Sequence, residues 1–214
     1  MCGRFVLLTD LSVIVEAFRI AEVACDYRPD RNIAPGRSVA AVVRDGENRL
    51  VDLRWGLIPS WARDPAVGSR MFNARAETLA QKPSFREAFR RRRCLIVADG
   101  FYEWPKGSRG GAPRLFSLKS GRPFGMAGLY ETWMSPEAKA VHTCTIVTTE
   151  PNELVRPVHD RMPVIVGREH QEQWLDPRRY DPGELAALLK PYPAGEMQVS
   201  ETGPSPSLFP SASP

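Results

Sequence analysis

Strand-like runs follow one another along this chain without the strand–helix–strand alternation that a parallel sheet requires. Ser38 to Val43 and Leu50 to Trp55 are rich in β-branched and apolar residues, and Asp45-Gly46 with a short polar stretch separates them, which predicts a hairpin. Cys94 to Val97, Leu115 to Leu118, Pro123 to Tyr130, Val141 to Thr148 and Met162 to Val166 repeat the pattern, with the turn signal Ser120-Gly121 between the second and third of these. Met197 to Val199 adds a last short run. Strands joined by such brief turns pair antiparallel. The expected fold is therefore α+β, a single domain with a curled, largely antiparallel, barrel-like β core and peripheral helices.

The helices fall between these runs. Leu11, Ile14, Val15 and Phe18 stand at i, i+3, i+4 and i+7, so they form one apolar face, and Thr9 or Asp10 is placed to cap its start. Pro83-Ser84 opens a second helix with Phe85, Ala88 and Phe89 on one side, ending in Arg90-Arg91-Arg92-Arg93. Basic residues suit a helix C-terminus, so this run reads first as a solvated helix end rather than a phosphate clamp. Glu169 to Trp174 and Glu184 to Leu189 have helical patterning. No linker or repeat divides the chain, which predicts one domain over residues 1–202. Residues 203–214, almost entirely Gly, Pro, Ser and Ala apart from Leu208 and Phe209, are expected to form a mobile tail.

A chain of 214 residues hides roughly 70% of the surface that its unfolded form exposes, enough for a core without disulfide or metal staples. Cys2, Cys25, Cys94 and Cys144 are widely spread, with no C-x-x-C pair and no zinc-finger spacing to the three histidines, so the expectation is free thiols, no metal and a cytoplasmic setting. No apolar stretch is long enough to cross a membrane as a helix, and Arg4 and Asp10 make the N-terminus unlike a signal peptide. A net charge of +4 and a pI near 9.0 permit a polyanionic partner without demanding one.

Polar and aromatic residues that core formation does not call for gather in six short segments: Cys2-Gly3-Arg4-Phe5, Asn32 to Gly36, Trp55 to Trp61, Phe72 to Thr78, Asp99 to Trp104, and His159 to Pro163. Cys2 carries its own chemistry. Removal of Met1, permitted by the small second residue, leaves a 1,2-aminothiol whose α-amine has an ordinary pKa of about 7.7–8.0 and is partly neutral at pH 7. Such an amine condenses with an aldehyde to a Schiff base, and the adjacent thiol can close a five-membered thiazolidine. Glu103 lies between Tyr102 and Trp104, where apolar neighbours raise a carboxyl pKa; pairing with one of the many arginines is the competing reading. His159 titrates near neutrality, whereas His142 and His170 lack comparable surroundings. Asn73 offers a donor and an acceptor. Trp55 and Trp104 read as core aromatics.

Taken in order from Cys2 to about Val166, these segments resemble the SRAP family of abasic-site processing proteins. The resemblance implies a catalytic set of Cys2, Asn73, Glu103 and His159, with Glu103 in acid–base steps during sugar opening and imine formation. It implies that Arg75 and Arg161, with Arg4 as a third, hold phosphates, and that Trp61 and Pro35 stack on or wedge against bases. The expected partner is single-stranded DNA containing an abasic site, including at a single-strand/double-strand junction, with no metal or organic cofactor and a nucleoid-associated location in a bacterium. Val199-Ser200-Glu201-Thr202-Gly203 matches the family's C-terminal pattern only in part. Two other functions compete: a thiol peptidase acting through Cys2, His159 and Glu103, on its own N-terminus or another peptide, and a noncovalent single-strand binding module in which Cys2 is incidental.

Overall fold

The computed structural model describes residues 2–105 and 112–201. Among these, fourteen strands occur in chain order: β1 (Phe5–Leu7), β2 (Ile20–Ala24), β3 (Asp30–Ile33), β4 (Ser38–Asp45), β5 (Glu47–Trp55), β6 (Asn73–Arg75), β7 (Arg93–Ala98), β8 (Gly100–Glu103), β9 (Arg114–Leu118), β10 (Phe124–Met134), β11 (Ala140–Thr149), β12 (Met162–Pro163), β13 (Ile165–Val166) and β14 (Met197–Glu201). The α-helices are α1 (Leu11–Phe18), α2 (Arg86–Arg91), α3 (Gln171–Leu175) and α4 (Pro182–Ala187). The expected α+β domain is what forms.

Its centre is a closed five-stranded barrel. β4 and β5 make the hairpin read from the sequence, with Gly46 at φ +76° in the turn, a conformation that costs a Cβ-bearing residue. β7 pairs with β4, β10 with β7 and β11 with β10, all antiparallel. The ring closes through two parallel pairs, Thr143 with Arg54 and Cys144 with Trp55. Closure removes the free edges that an open sheet would expose. All six residues of β7 are buried, as expected for a strand covered on both faces.

A second, five-stranded antiparallel sheet in the order β14-β9-β8-β1-β3 packs beside the barrel. β14 pairs with β9 over five residues, so the closing strand forms despite its partial motif match. Phe5 meets Trp55 of the barrel with ring centroids 5.2 Å apart, joining this sheet to the core, and within the sheet Phe101 stacks on its cross-strand partner Phe116 at 5.2 Å. Asp99, between β7 and β8, accepts from Leu8 N, Thr9 N and Thr9 Oγ1, tying down the chain after β1. Thr9 therefore does not cap α1; Asp10 occupies the N-cap position without a side-chain bond. Ile14 and Phe18 are buried, with Leu11 and Val15 packed against the core.

Other local expectations are adjusted by tertiary packing. The helix expected from Pro83 starts at Arg86, because Phe85 turns into the core at its N-cap position. The run Met162–Val166 splits in two: β12 pairs with β11 and β13 with β10, and Val164 bridges them by donating to Val147 O and accepting from Ala127 N. Residues 203–214, expected to form a tail, lie outside the described residues.

The arginine run is not a solvated helix end throughout. Arg93 is 2% exposed, and its guanidinium donates to five carbonyls, those of Phe89, Arg90, Trp174, Asp176 and Arg179, at 2.5–2.8 Å. Hydrogen bonds from a charged donor are worth about 1.5–3 kcal/mol each, and orphaned buried carbonyls add a desolvation cost. Arg93→Met, which keeps much of the stem, is expected to destabilise the fold by about 3–5 kcal/mol in urea titration. A loss under about 1 kcal/mol would mean that water replaces the clamp.

Candidate active site at the N-terminal cysteine

Antiparallel pairing brings the two ends of the site together. β1 meets β8 at Phe5–Phe101 and Val6–Gly100, and Tyr102 N donating to Arg4 O at 2.9 Å extends the register outward. The same register carries Cys2 and Gly3 toward Glu103. From the barrel side, β6 lies parallel to β11 with Asn73 opposite Ile146, and Asn73 Nδ2 donates to Cys2 O at 2.7 Å. Asn73 Oδ1 is buried and has no hydrogen-bond partner among the described residues. Residues distant in sequence are thus fixed by strand register rather than by loop conformation.

Cys2 is fully buried. Burial pushes its thiol well above the usual range, and the nearby Glu103 carboxylate adds to the effect. Glu103 is itself 3% exposed, and burial raises its carboxyl to about 7, with the charge of Asp160 acting in the same direction. The apolar neighbourhood expected around Glu103 is real: Tyr102 is buried against Val6, with Trp104 packed beside them. His159 Nε2 lies 3.9 Å from Glu103 Oε2. On the other side of the ring, His159 Nδ1 lies 3.0 Å from Arg161 N, 3.2 Å from Arg161 O and 3.2 Å from Asp160 Oδ1, which fix its orientation with Nε2 toward Glu103. Cys2, Asn73, Glu103 and His159 therefore form one cluster around a buried thiol and an acid poised near neutrality.

The other nominated residues surround it unevenly. Arg4 donates to Asn32 Oδ1 at 2.7 Å. Arg75 is exposed at the end of β6, opposite Thr148. Arg161 forms a two-pronged ion pair with Glu77 at 2.6 and 3.0 Å and donates to Thr148 O at 2.5 Å. That pairing holds the Glu77 carboxyl below its usual range, and it leaves the guanidinium fork engaged. Trp61 is 64% exposed on a loop anchored by Ser60 N to Glu131 Oε2 and by Trp133 Nε1 to Ala62 O. Pro35 lines a cavity of about 200 Å³ with Arg54, Trp55 and Pro65. Gly56, at φ +138°, starts the loop to Trp61 where a Cβ would come within 2.7 Å of Gly68 O. Trp55 is a core residue, as read, and its Nε1 donates to Phe72 O.

Sequence reasoning passed over Glu77, Asn32 and Glu131, which hold Arg161, Arg4 and the Trp61 loop. Glu77 and Asn32 sit inside the polar and aromatic segments, yet their partners are 84 and 28 residues away, and no local spacing encodes that. A larger cavity of about 490 Å³, lined by Asp26, Tyr27, Asp30, Arg37 and Asp52, contains none of the nominated residues. Among the described residues no cluster of His, Cys, Asp and Glu is arranged to hold a metal ion, and no helix is long and apolar enough to cross a membrane.

Fold and site together define a small α+β protein in which an antiparallel sheet holds a cysteine at position 2 against an Asn, a buried Glu and a His on the rim of a five-stranded barrel. The chain belongs to the SRAP family: the family model described as SOS response associated peptidase matches residues 1–204. It is 47% identical over 203 residues to the abasic site processing protein YoqW of Bacillus subtilis, an alignment covering 93% of this chain and 91% of that protein. It is 30% identical to the abasic site processing protein HMCES of Gallus gallus, over 77% of this chain and 59% of the relative. A crystal structure of a protein from Bacteroides thetaiotaomicron superposes with a TM-score of 0.84 at 26% identity, covering 97% of this chain and 98% of that one.

Proposed function

We propose that this protein processes abasic sites in single-stranded DNA by forming a covalent thiazolidine through Cys2 once Met1 has been removed. The names of its relatives support abasic-site DNA as the target. The observation that carries the mechanism is the buried cluster in which Asn73 Nδ2 donates to the Cys2 carbonyl and strand register brings the buried Cys2 toward the buried Glu103, with His159 3.9 Å from that carboxylate.

In this route the Cys2 amine attacks C1 of the ring-opened sugar aldehyde. Glu103 in its acid form protonates the leaving hydroxyl, and water departs to give the imine. Cys2 Sγ then bonds to the same carbon, its proton passing to the nitrogen. The product is a thiazolidine, and one water is lost overall. The unsatisfied Asn73 Oδ1 can accept from a hydroxyl of the opened sugar, and the His159 ring beside Glu103 can exchange a hydrogen bond with another. The imine also opens a path to strand cleavage and to reversal. A thiol peptidase would need a thiolate or a base that makes one, and the Cys2 shift runs the other way.

The test is denaturing electrophoresis of Met1-processed protein, its N-terminus checked by mass, with a labelled oligonucleotide bearing one abasic site. A heat-stable adduct on the lesion strand, absent on the undamaged strand and weighing the sum of the two partners less one water, is expected. No adduct from processed protein would overturn the proposal.

A further inference from the structure

The fold absorbs only part of the arginine run. Arg93 clamps α2 to the loop after α3, since one guanidinium reaches Phe89 O and Arg90 O on one side and Asp176 O and Arg179 O on the other. This buried clamp fixes the exposed Arg90 and Arg91 beside the exposed Arg178. With Pro177 and Tyr180, these three arginines line an open cavity of about 370 Å³. Arg90 lies over the Tyr180 ring at 5.6 Å, and the one carboxylate ion-paired to any of the three among the described residues is Asp176, on Arg178. Like charges held in one cavity repel, and an anion relieves that repulsion.

The cavity is linked to the Trp61 loop through one carboxylate. Arg92, next to Arg91, pairs with Glu131, and Glu131 also accepts from Ser60 N beside Trp61. Asn73 faces Ile146 on β11, while Glu131 on β10 faces Thr143. β10 and β11 lie between β6 and β7 in the closed ring, so the start of β7 stands across the barrel from Asn73, a separation on the order of 15 Å or about four nucleotides. Arginines at that distance would be met by a strand several nucleotides from a lesion held at Cys2.

We propose that Arg90, Arg91 and Arg178 form a second phosphate-binding patch that holds the single-stranded arm of the lesion strand at a distance from the abasic site. The patch rests on the reading of Cys2 as the lesion-binding residue only for which strand it serves. Guanidinium forks match phosphate oxygens, and the exposed Tyr180 offers an aromatic surface of the kind that accompanies single-strand grooves.

The experiment measures equilibrium binding by anisotropy, using Met1-processed protein and strands containing a tetrahydrofuran abasic analogue, which has no aldehyde and binds without reacting. Arms of about three and about twelve nucleotides are compared. With Arg90→Ala, Arg91→Ala and Arg178→Ala combined, affinity for the long-armed strand is expected to fall roughly tenfold and its salt slope by about 2. Binding to the short-armed strand and crosslinking of a short abasic strand are expected to stay as in the parent. No loss on the long arm, or equal loss on both lengths, would overturn the patch. An undamaged long strand separates the two proposals: its affinity is expected to fall with the same substitutions even if the Cys2 chemistry fails.

Discussion

Replacing Cys2 by alanine is expected to eliminate the heat-stable adduct while leaving an imine that borohydride can trap. Met1 removal from Cys2→Ala still exposes an α-amine, with an ordinary pKa of about 7.7–8.0, at the same end of the chain. The amine can still condense with the aldehyde. What it lacks is the sulfur held by covalent geometry one step from the imine carbon, and intramolecular closure of that kind carries effective molarities on the order of 10⁵ M or more. Without it the imine hydrolyses or eliminates on heating, so the heat-stable yield should drop at least about 100-fold. Because Cys2 is fully buried and small, alanine leaves little cavity, and an unchanged melting temperature would exclude misfolding. A heat-stable band of parental intensity from Cys2→Ala would end the thiazolidine mechanism.

The same residue shows where sequence reading reaches and where it stops. The chemistry of an N-terminal aminothiol is local, so Cys2 could be singled out from its position alone. The acid could be suspected, because Tyr102 and Trp104 flank Glu103 in the chain. The hairpin at Asp45-Gly46 and the apolar face of α1 were equally local and formed as the pattern required. Strands of three or four residues such as β1, β3 and β6 carry too few alternations to show a period, yet β1 and β6 are the ones that hold Cys2 and Asn73. The parallel closure of β11 on β5 joins residues about ninety apart, and parallel pairing leaves no turn signal. Arg93 looked like its three neighbours because nothing in a run of four identical residues tells which one faces inward. Arg161 matched a phosphate-holding position by resemblance, but its salt bridge to Glu77 had no local signature. For Arg161 to take a phosphate, the strand must compete with Glu77 for the fork.

Glu103→Gln is expected to slow crosslinking and reversal together while making the protein more stable above neutral pH. A positioned general acid contributes roughly 10²–10⁴-fold, and glutamine fills the same space without a transferable proton. In the parent, the acid form of Glu103 declines as pH rises through about 7, while the amine gains its neutral form toward about 8. Opposed titrations of this kind give a bell-shaped rate profile. Glu103→Gln should lose the falling limb and keep only the rise due to the amine. The stability effect has the opposite sign. Burial raises the folded carboxyl from 4.5 to about 7, so between those values the folded state holds more protons than the unfolded one, and stability falls as pH increases. The cost is fully present above about 7 and is on the order of 3 kcal/mol. Urea titrations should therefore show parent and Glu103→Gln converging near pH 4 and separating in favour of the variant at pH 8. Crosslinking at the parental rate would remove Glu103 from the chemistry, and stability curves that stay parallel across this pH range would mean that its carboxyl is not raised by burial. The combination expected here, a slower and more stable protein, is the mark of an acid kept buried for the reaction at the expense of the fold.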